Sequence, residues 1–265
     1  MSVRVRWLGH ATVVLDVGGA RVVTDPLLRR HAGVLRRRGG RAPRESDWRG
    51  AHAALVSHLH HDHAEVGSLR MLGPVPVLAA PSSAHWLTAH GLHGVGVAEG
   101  AWHALAGGAG DVRVRTVPAE HGHRPMPHRP NAATGFVVRG GGVTVWFAGD
   151  TGPFPGLAHV PDLAGAPVDL ALVPVGGWGP RLSGGHLDPV EAARVCALVG
   201  ARVAVPVHWG TLHAPASRRL PPGWMDRAGR AFEAAVHRLA PQVRPCVLLP
   251  GEVAEVGPAG DDAGR

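Results

Sequence analysis

Apolar and polar residues alternate along the start of the chain with the period of two that half-buried β-strands show. The alternation covers residues 3–8, 11–17 and 20–24, and Gly18-Gly19 separates the last two segments as a hairpin turn would. These segments predict three antiparallel strands in a meander. The fold should therefore open with a sheet rather than with a β-α-β unit.

Later apolar segments are short, and glycine, proline or polar residues bound each of them. We predict strands at 53–56, 76–79, 111–117, 135–139, 143–147, 170–173, 203–207 and 246–249, and helices at 64–72, 81–90, 189–199 and 225–239. Strands followed by helices occur in two successive sets, which indicates an α/β (α+β) fold with two sheets packed face to face and helices outside. No long linker is evident, so residues 1–256 are expected to form one domain and residues 257–265 a disordered tail.

Residues 57–63 read Ser-His-Leu-His-His-Asp-His and place four potential metal ligands within six residues. They follow a predicted strand, and sites on layered folds are usually built where a strand ends. In an extended backbone, His58, His60 and Asp62 point to one side, whereas His63 must turn elsewhere and can serve a second centre with Asp62. Imidazole and carboxylate suit Zn²⁺, Mn²⁺ or Fe²⁺. The alternative is a solvated turn in a chain that has 19 histidines.

Three distant residues, His121, Asp150 and His208, also stand shortly after predicted strands. Taken singly, they have ordinary interpretations as an exposed loop histidine, a turn-forming aspartate and a core histidine. Taken together they complete two ligand sets, which are His58, His60 and His121 for one ion, Asp62, His63 and His208 for the other, and Asp150 as the bridge. Two ions about 3.5–4 Å apart lower the pKa of a shared water and stabilise both sides of a displacement.

The composition is that of a globular protein, with 265 residues of which 45% are hydrophobic and 18% charged. No apolar run approaches the roughly 18 residues of a membrane-spanning helix. The N-terminus enters a strand pattern at once, which leaves no room for a signal peptide. Cys196 and Cys246 are interpreted as buried apolar residues rather than a disulfide, so we expect a cytoplasmic location.

The net charge of +7 comes from a chain whose basic side chains are all arginine. A bias toward arginine, alanine, glycine and proline is typical of a GC-rich genome, so the charge alone does not indicate a nucleic-acid partner. The arginines concentrate in residues 27–49, which lack a clear period and are expected to form a mobile, solvated loop. The alternative is a flap over the site that attracts phosphate or carboxylate groups.

Seven blocks between residues 7 and 211 resemble one known family in their content and order. They are Trp-Leu-Gly-His-Ala-Thr (7–12), Thr-Asp-Pro (24–26), the 57–63 motif, Phe-Ala-Gly-Asp-Thr-Gly (147–152), Ala-Leu-Val-Pro-Val-Gly (171–176), His-Leu-Asp-Pro-Val-Glu-Ala (186–192) and His-Trp-Gly-Thr (208–211). The chain is similar to the metallo-β-lactamase-fold hydrolases. Within them it looks most like the branch of N-acyl-phosphatidylethanolamine phospholipase D and the ascorbate-6-phosphate lactonase-like proteins.

The resemblance implies a four-layer αββα sandwich, a dinuclear site and hydrolysis by a metal-bound hydroxide. His186 lines up with a family histidine near the substrate, which implies a substrate-binding or proton-transfer role; otherwise it belongs only to the turn before a helix. Around His121 the phospholipase branch has tryptophan, serine and arginine, whereas this chain has Gly122, His123 and Arg124. The chain is also shorter than the lipid-cleaving enzymes, and no membrane-docking helix is evident. These departures speak against a phospholipid substrate.

We therefore expect a dinuclear metal-dependent hydrolase that cleaves a phosphodiester or a lactone or ester bond of a small anionic substrate by a metal-bridging hydroxide. Zn²⁺ is the expected ion, with Mn²⁺ or Fe²⁺ as alternatives. Asp62 and His186 are the expected catalytic residues, as proton acceptor and proton donor. The anionic group would be held by arginines of residues 29–44, by Arg124 or by Arg181. A nuclease of the same fold, a thioester hydrolase and a non-catalytic metal-binding regulatory protein are the alternatives, and a homo-oligomer is left open.

Overall fold

The computed structural model describes residues 1–106, 111–122, 128–217, 219 and 221–258 of the chain. In this part of the chain the strands are β1 (Val3–Gly9), β2 (Thr12–Val17), β3 (Ala20–Thr24), β4 (His31–Ala32), β5 (Leu35–Arg37), β6 (Ala53–Leu55), β7 (Val77–Ala79), β8 (Gly94–Gly96), β9 (Trp102–Ala104), β10 (Arg113–Pro118), β11 (Thr134–Gly140), β12 (Val143–Phe147), β13 (Leu170–Pro174), β14 (Val203–Val207), β15 (Leu212–His213), β16 (Arg244–Pro245) and β17 (Val253–Val256). The α-helices are α1 (Glu45–Trp48), α2 (Val66–Met71), α3 (Pro81–Ala89), α4 (Val160–Ala164), α5 (Pro189–Leu198) and α6 (Trp224–Leu239). Short 3₁₀ turns lie at Arg38–Gly40 and Pro155–His159.

The strands form two large mixed sheets and one small sheet. The first large sheet has the order β17-β1-β2-β3-β6-β7-β8, and the second has the order β16-β14-β13-β12-β11-β10-β9. In each, an antiparallel meander continues into parallel strands. The small sheet has the order β15-β5-β4.

The two large sheets pack face to face because their strands present apolar side chains to both sides. Along β3, Val22 belongs to the core between the sheets, whereas Val23 belongs to a second cluster with Leu69 of α2 and Leu87 of α3. Buried residues of α5 and α6, such as Cys196, join the core of the second sheet. The order of layers is therefore helix, sheet, sheet, helix, and the expected αββα sandwich is confirmed.

The opening meander forms as the alternation predicts. Val3, Val5 and Trp7 of β1 are buried, while Arg4 is exposed. Gly18 and Gly19 make the turn between β2 and β3 with φ values of +53° and +83°, which glycine adopts without steric cost.

The start of α5 also follows its sequence signal. Asp188 accepts hydrogen bonds from the backbone N–H groups of Val190 and Glu191, both at 2.8 Å. The Glu191 side chain accepts one from the backbone N–H of Asp188 at 2.9 Å. This capping box fixes Asp188 as the residue at which the loop that carries His186 ends and α5 begins.

The predicted strand at 246–249 is wrong. These residues connect the two large sheets: Cys246 donates its backbone N–H to Ala204 of the second sheet, and β17 then pairs with β1 of the first. A turn at 249–252 makes this crossing, in which the Leu249 N–H is bonded to the Glu252 side chain at 2.8 Å. An apolar run of four residues cannot distinguish a strand from such a connection.

Residues 27–49 contain two strands, a 3₁₀ turn and α1, so the prediction of an irregular loop is wrong, although most of these residues are exposed as predicted. β4 and β5 form a hairpin that pairs with β15, and Leu27, Ala32 and Leu35 are buried against Leu212. The apolar residues scattered among the arginines are enough to anchor the segment, although they show no regular period.

At the C-terminal end, Gly257 is held by the Arg202 guanidinium, which donates to its carbonyl oxygen. The rest of the predicted tail, from residue 259 onward, lies outside the described residues. None of the helices described here has the length and apolar character needed to cross a lipid bilayer.

Candidate metal centre

The structure brings all seven predicted metal ligands into one cluster at the ends of strands. Those of the 57–63 motif follow β6, and the other three, His121, Asp150 and His208, follow β10, β12 and β14. The approach of Asp150 requires a glycine before it, since a Cβ on Gly149 would lie 2.7 Å from the Cβ of Ser57.

The first group consists of His58, His60 and His121. One ring nitrogen of each lies within 4.8 Å of a nitrogen of each of the others, and His60 Nδ1 is 3.1 Å from His121 Nε2. Tetrahedral nitrogen ligands at about 2.0–2.1 Å from Zn²⁺ would be about 3.3 Å apart. His58 Nε2 is buried and has no hydrogen-bond partner among the described residues. A buried acceptor of this kind fits a metal ligand.

The second group consists of Asp62, His63, Asp150 and His208. His63 Nε2 lies 3.0 Å from His208 Nε2, and each of these two nitrogens lies 3.2 Å from Asp150 Oδ2. Asp62 Oδ2 is 3.7 Å from His63 Nε2 and 3.8 Å from His208 Nε2. These five separations surround the value of about 3.3 Å expected for ligands of tetrahedral Zn²⁺. Asp62, His63 and His208 also form a candidate metal-binding group with His10, in which all ligand atoms lie within 4.8 Å of one another.

Asp150 lies between the two groups. Its Oδ2 belongs to the second group, and its carboxylate also comes within 4.8 Å of ligand atoms of His58 and His121. Its Oδ1 is buried without a hydrogen-bond partner in the part of the chain that the structure describes. A carboxylate with one engaged and one unpartnered oxygen is placed as a bridge between two ions would require.

The second nitrogen of several imidazoles is held by a fixed acceptor, which sets the orientation of each ring. These bonds are His63 Nδ1 to Asp25 Oδ2 at 2.7 Å, His208 Nδ1 to Gly176 O at 2.9 Å and His121 Nδ1 to Gly185 O at 2.9 Å. Asp25 is itself held by the Ser57 N–H and hydroxyl, which donate to it at 2.7 and 2.6 Å. The ring nitrogens of the cluster are therefore aimed before any ligand binds.

The histidines of the first group are neutral. Burial lowers the pKa of His58 well below its usual value, lowers the pKa of His60 to about 4 and lowers that of His121. Their lone pairs are free to bind a cation at neutral pH, as metal coordination requires.

The buried carboxylates in and around the second group are stabilised by a nearby positive charge. Burial alone would lower the pKa of His63, but the carboxylates of Asp150, Asp25 and Asp62 raise it well above its usual value. Burial alone would likewise raise the pKa of Asp150, yet His208 and His63 lower it well below its usual value. Buried carboxylates without a cation are costly, and a divalent ion meets the same need as the proton on His63.

One residue of the cluster, His10, was not predicted as a site residue. It is fully buried in the turn between β1 and β2 with φ of +54°, and its Nε2 is 2.9 Å from Asp62 Oδ2. Its backbone N–H donates to Thr211 Oγ1 at 2.7 Å, and its carbonyl accepts from the backbone N–H of His208 at 2.8 Å. The sequence pattern predicts only a break between strands at Gly9-His10. The feature that could have identified His10 is its position in the first of the seven blocks that resemble the family.

His186 stands at the edge of the second group. Its Nε2 is 3.4 Å from Asp150 Oδ2, and its Nδ1 is 3.1 Å from the carbonyl oxygen of Ser183. The preceding Gly185 has φ of +81°, and a Cβ there would meet the backbone nitrogen of Gly122 at 2.2 Å, so only glycine allows this loop to cross beside His121. Burial alone would lower the pKa of His186, but its hydrogen bond to Asp150 raises it above its usual value.

A cavity of about 950 Å³, here called the metal-side cavity, opens onto Asp62, Asp150 and His186. One arginine among the described residues, Arg181, lines it. The remaining wall includes six apolar residues: Ala32, Val34, Leu35, Trp178, Leu182 and Ala214.

The alternative prediction, an arginine-rich flap over the site, is not what the structure shows among the described residues. The β4–β5 hairpin does reach the site, but through its apolar tip, and none of the arginines of residues 29–44 lines the metal-side cavity in the described structure. Arg124 and His123, which the sequence placed near His121, lie outside the described residues.

Two packed mixed sheets with a histidine and aspartate cluster at their strand ends define a class of metallo-hydrolase folds. The fold is shared with a solved metallo hydrolase of the archaeon Ignicoccus hospitalis, at a TM-score of 0.71 and 21% sequence identity, covering 96% of this chain and 98% of that chain. At this identity the likeness concerns the fold alone.

The sequence profile described as "Beta-lactamase superfamily domain" matches residues 20–209, and the chain belongs to this superfamily, among its metal-dependent hydrolases. A metal-dependent hydrolase of Deinococcus radiodurans is 31% identical over 257 residues, which cover 96% of this chain and 99% of that protein. The N-acyl-phosphatidylethanolamine-hydrolyzing phospholipase D 1 of Caenorhabditis elegans is 31% identical over 225 residues, or 77% of this chain. This match spans only 63% of that relative's length. The family expected from the sequence is confirmed.

Proposed function

We propose that the chain hydrolyses a phosphodiester or a lactone or ester bond at a centre of two divalent ions, most simply Zn²⁺. The observation that carries the proposal lies in the second group of ligands, in which His63 Nε2, His208 Nε2 and Asp150 Oδ2 lie 3.0–3.2 Å from one another, close to the separations expected around one tetrahedral ion. Asp150 and Asp62 line a cavity large enough for a small molecule.

In this proposal, His58, His60 and His121 hold one ion, Asp62, His63 and His208 hold the other, and Asp150 bridges them. His10 supports Asp62 through its ring nitrogen, because its Nε2 lies 2.9 Å from the ligand oxygen. When bound, the ions supply an acidified water nucleophile and Lewis-acid stabilisation of the developing negative charge.

The acid and base of the reaction come from the chain itself. Asp62 lines the cavity as an ionised carboxylate, since burial would raise its pKa but His63 and His10 lower it well below the usual value. It is therefore able to accept a proton from the attacking water. The hydrogen bond to Asp150 raises the pKa of His186 and so favours its protonated form. His186 faces the same cavity from beside Asp150, which places it to donate a proton to the departing oxygen.

The residues that line the metal-side cavity indicate which kind of substrate would fit it. Arg181 offers one guanidinium for a negatively charged group, and the apolar residues of the β4–β5 hairpin and of the loop around Trp178 accept a nonpolar portion. The substrate we propose is a small molecule with one anionic group and an apolar portion. The nematode relative is a phospholipase D, which makes the phosphodiester the first bond to test.

The test is metal content together with turnover of bis(p-nitrophenyl) phosphate and a panel of small lactones. We expect two ions per chain in the wild type. Asp150→Ala should lose at least one ion and about 100-fold or more in turnover, since it removes the bridge between the ions. Asp150→Asn keeps the shape of the side chain and should lose turnover as well, which separates charge from packing.

Asp162→Ala is the matched control, because Asp162 is an exposed aspartate on α4 that makes no contact with the cluster. Circular dichroism of each variant checks folding. Fewer than one ion per chain after reconstitution would rule out the dinuclear centre. Two ions without turnover of any substrate in the panel would rule out the bond classes proposed here.

A further inference from the structure

A second cavity of about 730 Å³ lies at the other end of the β5–β15 pair. Leu35 and Ala214 border the metal-side cavity, whereas Arg37 and Thr211 border the second one. No described residue lines both. We call the second opening the arginine cavity.

The arginine cavity carries a strong positive charge. Six arginines line it, against two aspartates, which leaves four formal positive charges: the arginines are Arg6, Arg37, Arg38, Arg41, Arg44 and Arg230. The aspartates are already engaged, since Asp47 pairs with Arg6 at 3.1 Å and Asp226 binds both terminal nitrogens of Arg38. No ion pair joins Arg37, Arg41 or Arg44 to either aspartate of the cavity wall, whereas Arg230 adds its charge to that of Arg38 near Asp226.

Arg37 is the most constrained of these residues. It is buried, with 5% of its surface exposed, and its guanidinium donates to the carbonyl oxygens of Arg29, Leu8 and Leu27. It forms no ion pair with any carboxylate in the described chain, so the protein holds a buried cation beside the cavity without a counter-charge. Three of the five N–H donors of a guanidinium are used in these bonds, which leaves two.

Arg41 and Arg230 are exposed and come from distant parts of the chain. Arg41 follows β5, and Arg230 lies on α6. Neither forms an ion pair or a side-chain hydrogen bond within the described chain. Their guanidinium groups are therefore available to an external anion, for which arginine is well suited through paired N–H donors.

The floor of the cavity is apolar and aromatic. Trp7 and Trp209 stack with ring centroids 5.3 Å apart, and their indole N–H groups donate to the carbonyl oxygens of His10 and Pro206. Leu249, which is 59% exposed, stands at the rim. A ligand that fills this space therefore needs a nonpolar portion as well as negative charge.

We propose that the arginine cavity is a second ligand site, which binds a phosphoryl group carried on an apolar or aromatic body. A doubly charged phosphoryl group matches the excess of guanidinium groups better than a single carboxylate does, and the cavity volume is that of a small-molecule site. Guanidinium groups do not take part in proton transfer at neutral pH, so the site is one for binding and not for a reaction.

The position of the arginine cavity links it to the metal centre. Its wall includes Leu8 and Thr211, and Thr211 Oγ1 accepts the backbone N–H of His10 at 2.7 Å. Arg37 donates to the carbonyl oxygen of Leu8 at 2.9 Å. An occupant of the cavity would thus rest against the reverse side of the turn that carries His10.

The experiment uses phenylphosphonate, which has a phosphoryl group on an aromatic ring and a P–C bond that resists hydrolysis. Isothermal titration calorimetry with the metal-loaded protein should show binding that is at least about tenfold weaker in Arg41→Ala/Arg230→Ala. The matched control is Arg194→Ala/Arg238→Ala, which removes the same charge from two exposed arginines outside the cavity. It should bind as the wild type does.

Two further arms identify the site and the source of the ligand. Binding should persist in Asp150→Ala, because the ligand does not occupy the metal centre. Co-sedimentation with vesicles that contain phosphatidic acid, whose headgroup is a phosphomonoester, compared with phosphatidylcholine vesicles, tests a lipid headgroup as the source, whereas binding of phenylphosphonate alone points to free phosphorylated molecules. Either result supports the site if it is lost in the Arg41 and Arg230 variant.

Three outcomes would overturn the proposal: neither probe binds, the two double variants weaken binding equally, or binding is lost in Asp150→Ala while it survives in the Arg41 and Arg230 variant. None of these outcomes depends on whether the metal centre hydrolyses the substrates proposed for it.

Discussion

The metal-side cavity and the arginine cavity are similar in size, at about 950 and 730 Å³, and both border the β5–β15 pair. Their chemistry differs. The first is lined by histidine and aspartate side chains, the residue types that can exchange protons and coordinate metals, and by a single arginine among the described residues. The second has six arginines and no histidine among its described lining residues.

The lining residues suit the metal-side cavity to a reaction and the arginine cavity to the binding of an anion. A histidine or aspartate changes its protonation state with its surroundings, so burial and neighbouring charges tune it for catalysis. A guanidinium keeps its proton under all ordinary conditions and can only bind and orient an anion. The basic charge of the sequence therefore gives little support to a nuclease, because the arginines of residues 29–44 do not line the metal-side cavity in the described structure.

The largest effect that separates the two cavities is expected from His186→Gln. If His186 donates a proton to the departing oxygen, its loss should lower kcat by about 10²–10⁴-fold. Its pKa is raised above 6.5, so the protonated donor is fully present at low pH and is lost as the pH rises through the raised pKa. The wild-type kcat should fall on the alkaline side, and this decline should be absent in the variant, as measured by a pH profile.

His237→Gln is the control for this change, since His237 is exposed near the end of α6. Phenylphosphonate binding at the arginine cavity should be the same in both variants. An alkaline decline of kcat that persists unchanged in His186→Gln would assign the proton transfer to another group.

A smaller effect is expected from Asp25→Asn. Asp25 accepts the Nδ1 hydrogen of His63 and two hydrogen bonds from Ser57, so the amide would remove the charge that orients a ligand. Loss of such a supporting carboxylate typically costs 10–100-fold in metal affinity or activity. Competition with a fluorescent chelator measures the affinity of the ion held by His63.

Asp169→Asn provides the comparison, because Asp169 is equally buried and accepts the Thr144 N–H at 2.9 Å, far from the cluster in the fold. It should lower the thermal stability without lowering metal affinity. Equal loss of metal affinity in both variants would mean that Asp25 acts only through the general stability of the fold.

The smallest effect, and the one that reaches both cavities, is expected from Thr211→Val. The substitution leaves the buried backbone N–H of His10 without its acceptor, which costs about 1–3 kcal/mol in the free energy of unfolding. Thr211→Ser keeps the hydroxyl and should retain most of the stability. Chemical denaturation measures both values.

Thr211→Val should also weaken phenylphosphonate binding and metal affinity together, by a few fold each, whereas Asp25→Asn should change only the metal affinity. If Thr211→Val changes neither phenylphosphonate binding nor metal affinity, the two cavities are not coupled through Thr211.

Much of the metal centre was predictable because its ligands are local signals. Residues 57–63 stand immediately after a buried strand, and His121, Asp150 and His208 repeat this pattern elsewhere. Ends of neighbouring strands come together in any layered sheet, so their side chains were expected to meet. The structure places these residues together, and their assignment as ligands remains a proposal.

Other features could not be read from local patterns. His10 was overlooked because the hydrophobic pattern around it gives no sign that its side chain is buried against a metal-ligand candidate. Its partner, Asp62, is 52 positions away in the sequence. The run at 246–249 was taken for a strand because four apolar residues look the same in a strand and in a buried connection. Composition suggested a solvated loop for residues 27–49, although Leu27, Ala32 and Leu35 anchor it to Leu212.

The sequence by itself determined most strands of the two large sheets, the family and the candidate ligands, because alternation, strand-end histidines and block order are properties of neighbouring residues. Only the tertiary structure decided which cavity the arginines face. That choice depends on the pairing of β5 with β15, which places Arg37 opposite Leu212 and Arg36 opposite His213. Long-range register of this kind leaves no mark within either strand, since it is set by the packing of segments about 175 residues apart.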